Sequence, residues 1–222
     1  MGRYTNQLGW VGKLGNNDAY ITGDNPDVAV MLIHDLIGWT FPNLRILADH
    51  YAREANVAVY LPDFFGGVIL SVENVIVNRF DLLDLPNFVK QNGRDMREPE
   101  IFECARDLRQ TYKKVGAIGF CYGGWAVFRL GAKEHHPPLV DCIVPDIDEV
   151  AVPVQVLAPE NRSHVSTRTQ NKLGLPLDYL HFPGVEHGCF VRGDDRHQEE
   201  RDAMTRAKNA AVGWFKQCLF DS

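Results

Sequence analysis

"KKVGAIGFCYGGWAVFRLG", Lys113 to Gly131, holds the decisive step of the fold. The short apolar run from Val115 to Phe120 reads as a buried strand, and "GWAVFRLGAK" (124–133) carries apolar residues at helical spacing. A strand that passes through a glycine-flanked turn straight into a helix is half of a parallel α/β unit. The residue at the tip is Cys121, set in the pattern Gly119-x-Cys121-x-Gly123. That spacing suits a nucleophile held in a strained turn, because side chains two residues before or after it would strike neighbouring backbone. The turn also places the sulfur at a helix N-terminus, where the dipole and unpaired N–H groups favour thiolate. The N–H of Tyr122 is then a candidate donor to a developing oxyanion. The competing reading is a tight turn around a buried structural thiol; the strand before the motif and the helix after it favour the nucleophile.

Outward from this turn the chain alternates strand-like and helix-like segments. "VAVMLIHD" (28–35), "VAVYLPD" (57–63), "VDCIVP" (140–145), "PVQVLAP" (153–159) and "LDYLHFPG" (177–184) read as further strands. Helices are expected over 41–56, over 99–112 with Pro99 in the first turn, and over 198–220. The stretch from Phe64 to about Arg97 reads as irregular. A mostly parallel central sheet with helices on both faces follows, and residues 1–222 read as a single domain.

Bulk composition narrows the function. The 222 residues are 45% hydrophobic and carry a net charge of −6 with no basic block, which argues against a nucleic-acid partner. No apolar run approaches the roughly 18 residues of a membrane helix, and the first ten residues lack a signal pattern. Five cysteines without a CxxC spacing fit reduced thiols and a cytoplasmic location. No pair of histidines has metal-ligand spacing, so a metal site is not expected.

A nucleophile needs a base. "FPGVEHGCFVRGD" (182–194) puts His187 in a loop between the last strand and the last helix, as the chain order nucleophile, acid, histidine requires. His34, at the end of a central strand, is the one serious competitor. Trp39 and Trp125, each following a motif glycine, and Phe64, beyond a strand end, are candidates for lining a substrate cleft, with packing as the alternative.

"LIHDLIGWTFPNLRILADHYAREANVAVYLPDFFGG", "GAIGFCYGGWAVFRLGAK", "PVQVLAPE" and "HFPGVEHGCFVRGD" together resemble the dienelactone hydrolase family, particularly its fungal branch, from about Lys13 to the C-terminus. The resemblance implies an α/β-hydrolase fold and a Cys–His–Asp triad acting on a small-molecule lactone or ester without a cofactor. It implies that Asp35, where a Glu is usual, contacts the nucleophilic thiol, that the N–H of Leu36 is the second oxyanion donor beside Tyr122, and that Arg192 grips a substrate carboxylate. For Arg192 a surface salt bridge to Asp194 or Asp195 is the alternative.

The sequence departs from the pattern at the third triad member. Relatives read Pro-Glu-x-Asp after the strand 153–159, whereas here Arg162 stands where Asp is expected. Glu160 is the nearest replacement acid, with Asp146 and Asp148 behind it, and the flanking segments are shortened. A cation there would disfavour an imidazolium at His187. Three functions follow: a Cys–His hydrolase; a non-hydrolytic isomerase, cyclase or dehydratase on a polyketide-like intermediate; or a ligand-binding relative without catalysis.

Overall fold

The computed structural model describes residues 7–144, 150–159 and 175–220. The centre of the sheet is β3 (Val28–Ile33), six apolar residues that are all buried, as a strand covered on both faces must be. Its side chains alternate between two cores: Ala29, Met31 and Ile33 enter one, Val28, Val30 and Leu32 the other. β4 (Ala58–Pro62) and β5 (Lys114–Gly119) flank it in parallel, followed outward by β6 (Cys142–Val144), β7 (Val154–Pro159) and β8 (Leu177–Phe182). On the other side, β1 (Trp10–Leu14) and β2 (Asn17–Thr22) form an antiparallel hairpin that pairs with β4. The sheet order is β1-β2-β4-β3-β5-β6-β7-β8.

Helices cover both faces. α1 (Pro42–Ala55) and the C-terminal α7 (Gln198–Phe220) bury Leu44, Tyr51, Trp214 and Phe215 against one face. α4 (Arg94–Thr111) and α5 (Tyr122–Leu130) bury Ile101, Leu108, Val127 and Leu130 against the other. No helix among the described residues is long and apolar enough to cross a membrane. The mostly parallel sheet and two-sided helical cover are those of the α/β-hydrolase fold.

Several expectations need correction. The hairpin β1–β2 was not anticipated, although Gly15 (φ 57°) and Asn16 form the two-residue turn between Leu14 and Asn17. Residues 64–97 are not irregular: they contain α2 (Val72–Ile76), a 3₁₀ turn (Phe80–Leu82), α3 (Leu85–Asn92) and the start of α4. Ser71 and Asp84 cap α2 and α3 by accepting from the N–H groups of Asn74 and Asn87, both at 3.3 Å. Pro99 lies inside α4 rather than opening it. The helix starts at Arg94, after Gly93, and Arg94–Glu98 and Arg97–Glu100 ion pairs support the turns around the proline. β3 and β8 begin as expected and end two residues early. β4, β6 and β7 fall within the expected bounds but are shorter by one or two residues at an end, β5 lies one residue earlier than expected, and α7 spans the expected range.

Candidate active site

β3 and β5 run side by side with Ile33 opposite Gly119, so the residues just beyond both strands emerge together at one end of the sheet. Phe120 N–H donates to Ile33 O at 3.2 Å and fixes that junction. Cys121 follows with φ 52° and ψ −106°, a conformation that L-residues rarely adopt. The flanking glycines explain how it is held. A Cβ at Gly119 would lie 2.2 Å from Gly123 O, and one at Gly123 would lie 2.4 Å from Ile33 O. Gly124, by contrast, has nothing within 4 Å of such an atom. Only the Gly-x-Cys-x-Gly glycines are sterically required; the third faces open space.

Cys121 caps the N-terminus of α5, and Tyr122 is the helix's first residue. The Tyr122 ring packs edge-on against Phe65 at 4.9 Å and Trp125 at 5.6 Å, and lies parallel to His34 at 6.4 Å. Its hydroxyl donates to Asn92 O at 2.8 Å. Asn92 is itself buried and accepts from Arg97 Nε and Nη2 at 3.1 and 2.8 Å, so the turn is moored to the α3–α4 corner.

After β3, His34 and Asp35 are both buried. His34 is not the base. Its Nδ1–H donates to Asp35 O at 2.9 Å, and Nε2 accepts from Phe64 N–H at 3.1 Å, so both ring nitrogens are committed to backbone. Burial lowers its pKa to about 4 and keeps the imidazole neutral. Asp35 Oδ1 accepts from Ile37 N–H at 3.0 Å, and Gly38 N–H returns to Asp35 O at 3.1 Å, which folds the chain into a turn around Leu36. No hydrogen bond among the described residues takes up the N–H of Leu36 or of Tyr122.

Asp35 Oδ2 lies 3.1 Å from Arg192 Nε, with the side chains 1% and 9% exposed. The atoms are close but poorly aligned, and neither completes a hydrogen bond. Burial raises the Asp35 pKa, and Arg192 pulls it the other way. Arg192 comes from α6 (Cys189–Arg192), a one-turn helix that opens at Gly188 (φ 91°). It therefore turns inward and does not form the surface bridge; Asp194 is taken by Arg196 and His197. In the loop leading to α6, Val185 and Cys189 are buried beside Phe182, while His187 between them is exposed.

Asp35, Cys121 and His187 line one cavity of about 100 Å³, together with Gly124, Tyr179 and Phe190. Val144, Val156, Leu157 and Val191 make most of its wall apolar. Trp39, Phe64 and Trp125 are not among the described residues that line it. Trp39 lies under the Arg45 guanidinium at 4.8 Å, Phe64 is fully buried in the core, and Trp125 packs on Tyr122. Glu160 and Arg162, with Asp146 and Asp148, lie outside the described residues. The sequence reading overlooked Tyr179, an inward aromatic in the middle of β8, where a two-residue alternation is the only signal. Among the described residues no group of three or more acidic, histidine or cysteine side chains is placed to hold a metal ion.

The model of the dienelactone hydrolase family matches residues 18–219. The chain is 28% identical to "Hydrolase tropI" of Talaromyces stipitatus, over 90% of this chain and 85% of that protein. It is 32% identical to the "Carboxymethylenebutenolidase homolog" of Mus musculus, over 90% and 86%. Its fold is similar to that of the dienelactone hydrolase of Anabaena variabilis, with a TM-score of 0.64 at 17% identity over 96% and 98% of the two chains. A match over nearly the whole sequence, on a sheet that brings the Cys121 turn beside Asp35, settles the family: the chain belongs to the dienelactone hydrolases.

Proposed function

We propose that the protein is a cysteine hydrolase of small lactones or esters, with Cys121 as nucleophile and His187 as base. The observation that carries this reading is the strained Cys121 turn, packed so tightly at Gly119 and Gly123 that it has little other use, opening on a cavity shared with His187 and Asp35. Cys121 passes its proton to His187 as its sulfur adds to the carbonyl carbon, and the N–H groups of Leu36 and Tyr122 receive the oxyanion. Collapse of the adduct breaks the ester C–O bond, and the leaving oxygen takes a proton from His187. Water, deprotonated by His187, then cleaves the thioester and returns the thiol and a carboxylic acid. Asp35 is a stronger base than a solvated aspartate, because burial raises its pKa, and this suits it to polarise the S–H bond before the proton passes to His187. Arg192 is the cation that a substrate carboxylate would share with Asp35. Glu160 is the proposed acid behind His187. The five cysteines, none in a disulfide, support a reducing compartment such as the cytoplasm.

The test is a stopped-flow trace with a chromogenic ester. A burst of one equivalent, lost in Cys121→Ala, is expected, with a slow second phase if the base lacks its usual acid. A wild-type protein that never acylates refutes the hydrolase and moves the non-hydrolytic reading ahead.

A further inference from the structure

Five buried side-chain polar atoms among the described residues lack a hydrogen-bond partner. Two belong to side chains that line the catalytic cavity, Asp35 and Tyr179. The Asp35 oxygen is compensated by Arg192. Among the described residues nothing compensates the Tyr179 hydroxyl. Leaving such a hydroxyl buried and unpaired is unfavourable, and in a cavity wall the deficit is removed when a ligand supplies an acceptor. The backbone of Tyr179 is firmly placed, since β8 pairs with β7 over six residues and Tyr179 lies opposite Val156, another lining residue. The rest of the neighbouring wall is apolar: Val144, Val156, Leu157 and Ala158 offer no side-chain hydrogen bond. The volume, about 100 Å³, is on the scale of a single ring, since an apolar cavity of about 150 Å³ admits benzene.

We infer that Tyr179 is a specificity-determining residue, whose hydroxyl donates to a carbonyl or ether oxygen in the acyl part of a compact substrate. The assignment rests on the proposed use of this cavity as the acyl site and names the kind of acyl group it selects: about one ring in size, apolar, with one acceptor away from the scissile carbonyl. A plain hydrocarbon acyl group of the same size would leave the hydroxyl unpaired and bind more weakly.

The test compares methyl hexanoate with methyl 4-oxohexanoate and methyl 5-oxohexanoate, titrated by NMR into full-length Cys121→Ala protein with Tyr179 present or replaced by Phe. Binding to the inert variant needs no turnover, so failure of the hydrolase reading, seen as no burst with the wild type, is read separately. With Tyr179, at least one keto ester should bind about 2- to 10-fold more tightly than hexanoate, and Tyr179→Phe should erase that preference. The melting temperature of ligand-free Tyr179→Phe should equal or exceed that of its parent, because only an unpaired hydroxyl is removed. A drop in melting temperature would show that the hydroxyl already has a protein partner and would overturn the inference. So would equal binding of all three esters, or a keto preference that survives in the Phe variant.

Discussion

Replacing Arg192 with Met keeps most of the side-chain volume and deletes the charge that, among the described residues, pairs with Asp35 Oδ2. At 3.1 Å, with an effective dielectric of about 20, two unit charges attract by about 5 kcal/mol. The poor hydrogen-bond alignment of the pair argues for the lower end of the about 3–5 kcal/mol seen when one partner of a buried pair is removed. Arg192→Met should therefore lose about 3 kcal/mol by urea unfolding at pH 8. The loss should shrink in acid. A carboxyl whose folded pKa lies above its unfolded value binds protons more readily in the folded state, so stability falls as pH rises from the unfolded value of about 3.8 through the raised folded one. Without Arg192 that folded pKa rises further, and the variant gains on the wild type as pH drops from 8 towards 5. Asp35→Asn in the Arg192→Met background removes the stranded charge and should recover most of the loss at pH 8. A loss under about 1 kcal/mol at pH 8, or a loss independent of pH and of Asp35→Asn, would refute the idea that this pair is electrostatically coupled in a dry site.

Limiting iodoacetamide should label Cys121 first; burial raises Cys104 to about 12 and Cys189 to about 11, and Cys142 is raised as well. Cys218, lowered by its hydrogen bond from Cys142, is the rival to watch in the peptide map, and its prior labelling would remove the nucleophile assignment. Gly123→Ala forces a Cβ to 2.4 Å from Ile33 O and should cost about 1–3 kcal/mol along with the burst; Gly124→Ala, with nothing within 4 Å, should stay within about 0.5 kcal/mol in denaturant titrations. Equal losses in the two would contradict the steric account. Buried His34, with its pKa lowered from 6.5 to about 4, binds protons better when unfolded, so its share of stability is present above pH 6.5 and falls away towards pH 4 by about 3 kcal/mol. His34→Gln should flatten that part of the stability–pH curve, and an unchanged slope would show that another group sets it.

The Cys121 turn was legible because its constraint is local: Gly119, Cys121 and Gly123 collide or fit within five residues of chain. β3 was legible from its unbroken apolar run, and α7 from a long pattern with no proline. Pro99 misled because proline favours the first turn of a helix, whereas here flanking ion pairs accommodate it in the interior. The caps at Ser71 and Asp84 were present in the sequence, but each introduces a helix of eight residues or fewer, too short for periodicity to register. The Asp35–Arg192 pair joins residues from opposite halves of the chain, and the unsatisfied state of Tyr179 depends on what does not surround it. Neither leaves a local pattern to read. His34 carried a misleading one, since a histidine at a strand end looks reactive until both its nitrogens are found bonded to backbone.

The mooring of Tyr122 to Asn92 ties two timescales together. The residue whose amide is proposed to hold the oxyanion has its phenol anchored to the end of α3, in a stretch where Val68, Ile69, Val77, Val89 and Met96 stand exposed to solvent. That stretch has less packing to hold it than the sheet, so its fluctuations should be faster and wider than those of β5. The Arg97–Asn92–Tyr122 chain of hydrogen bonds connects that stretch directly to the first turn of α5. Hydrogen exchange at the Tyr122 amide therefore becomes a reporter of how tightly the outer helices are seated, and on the proposed mechanism the rate of the chemistry should follow the rigidity of helices that do not line the cavity.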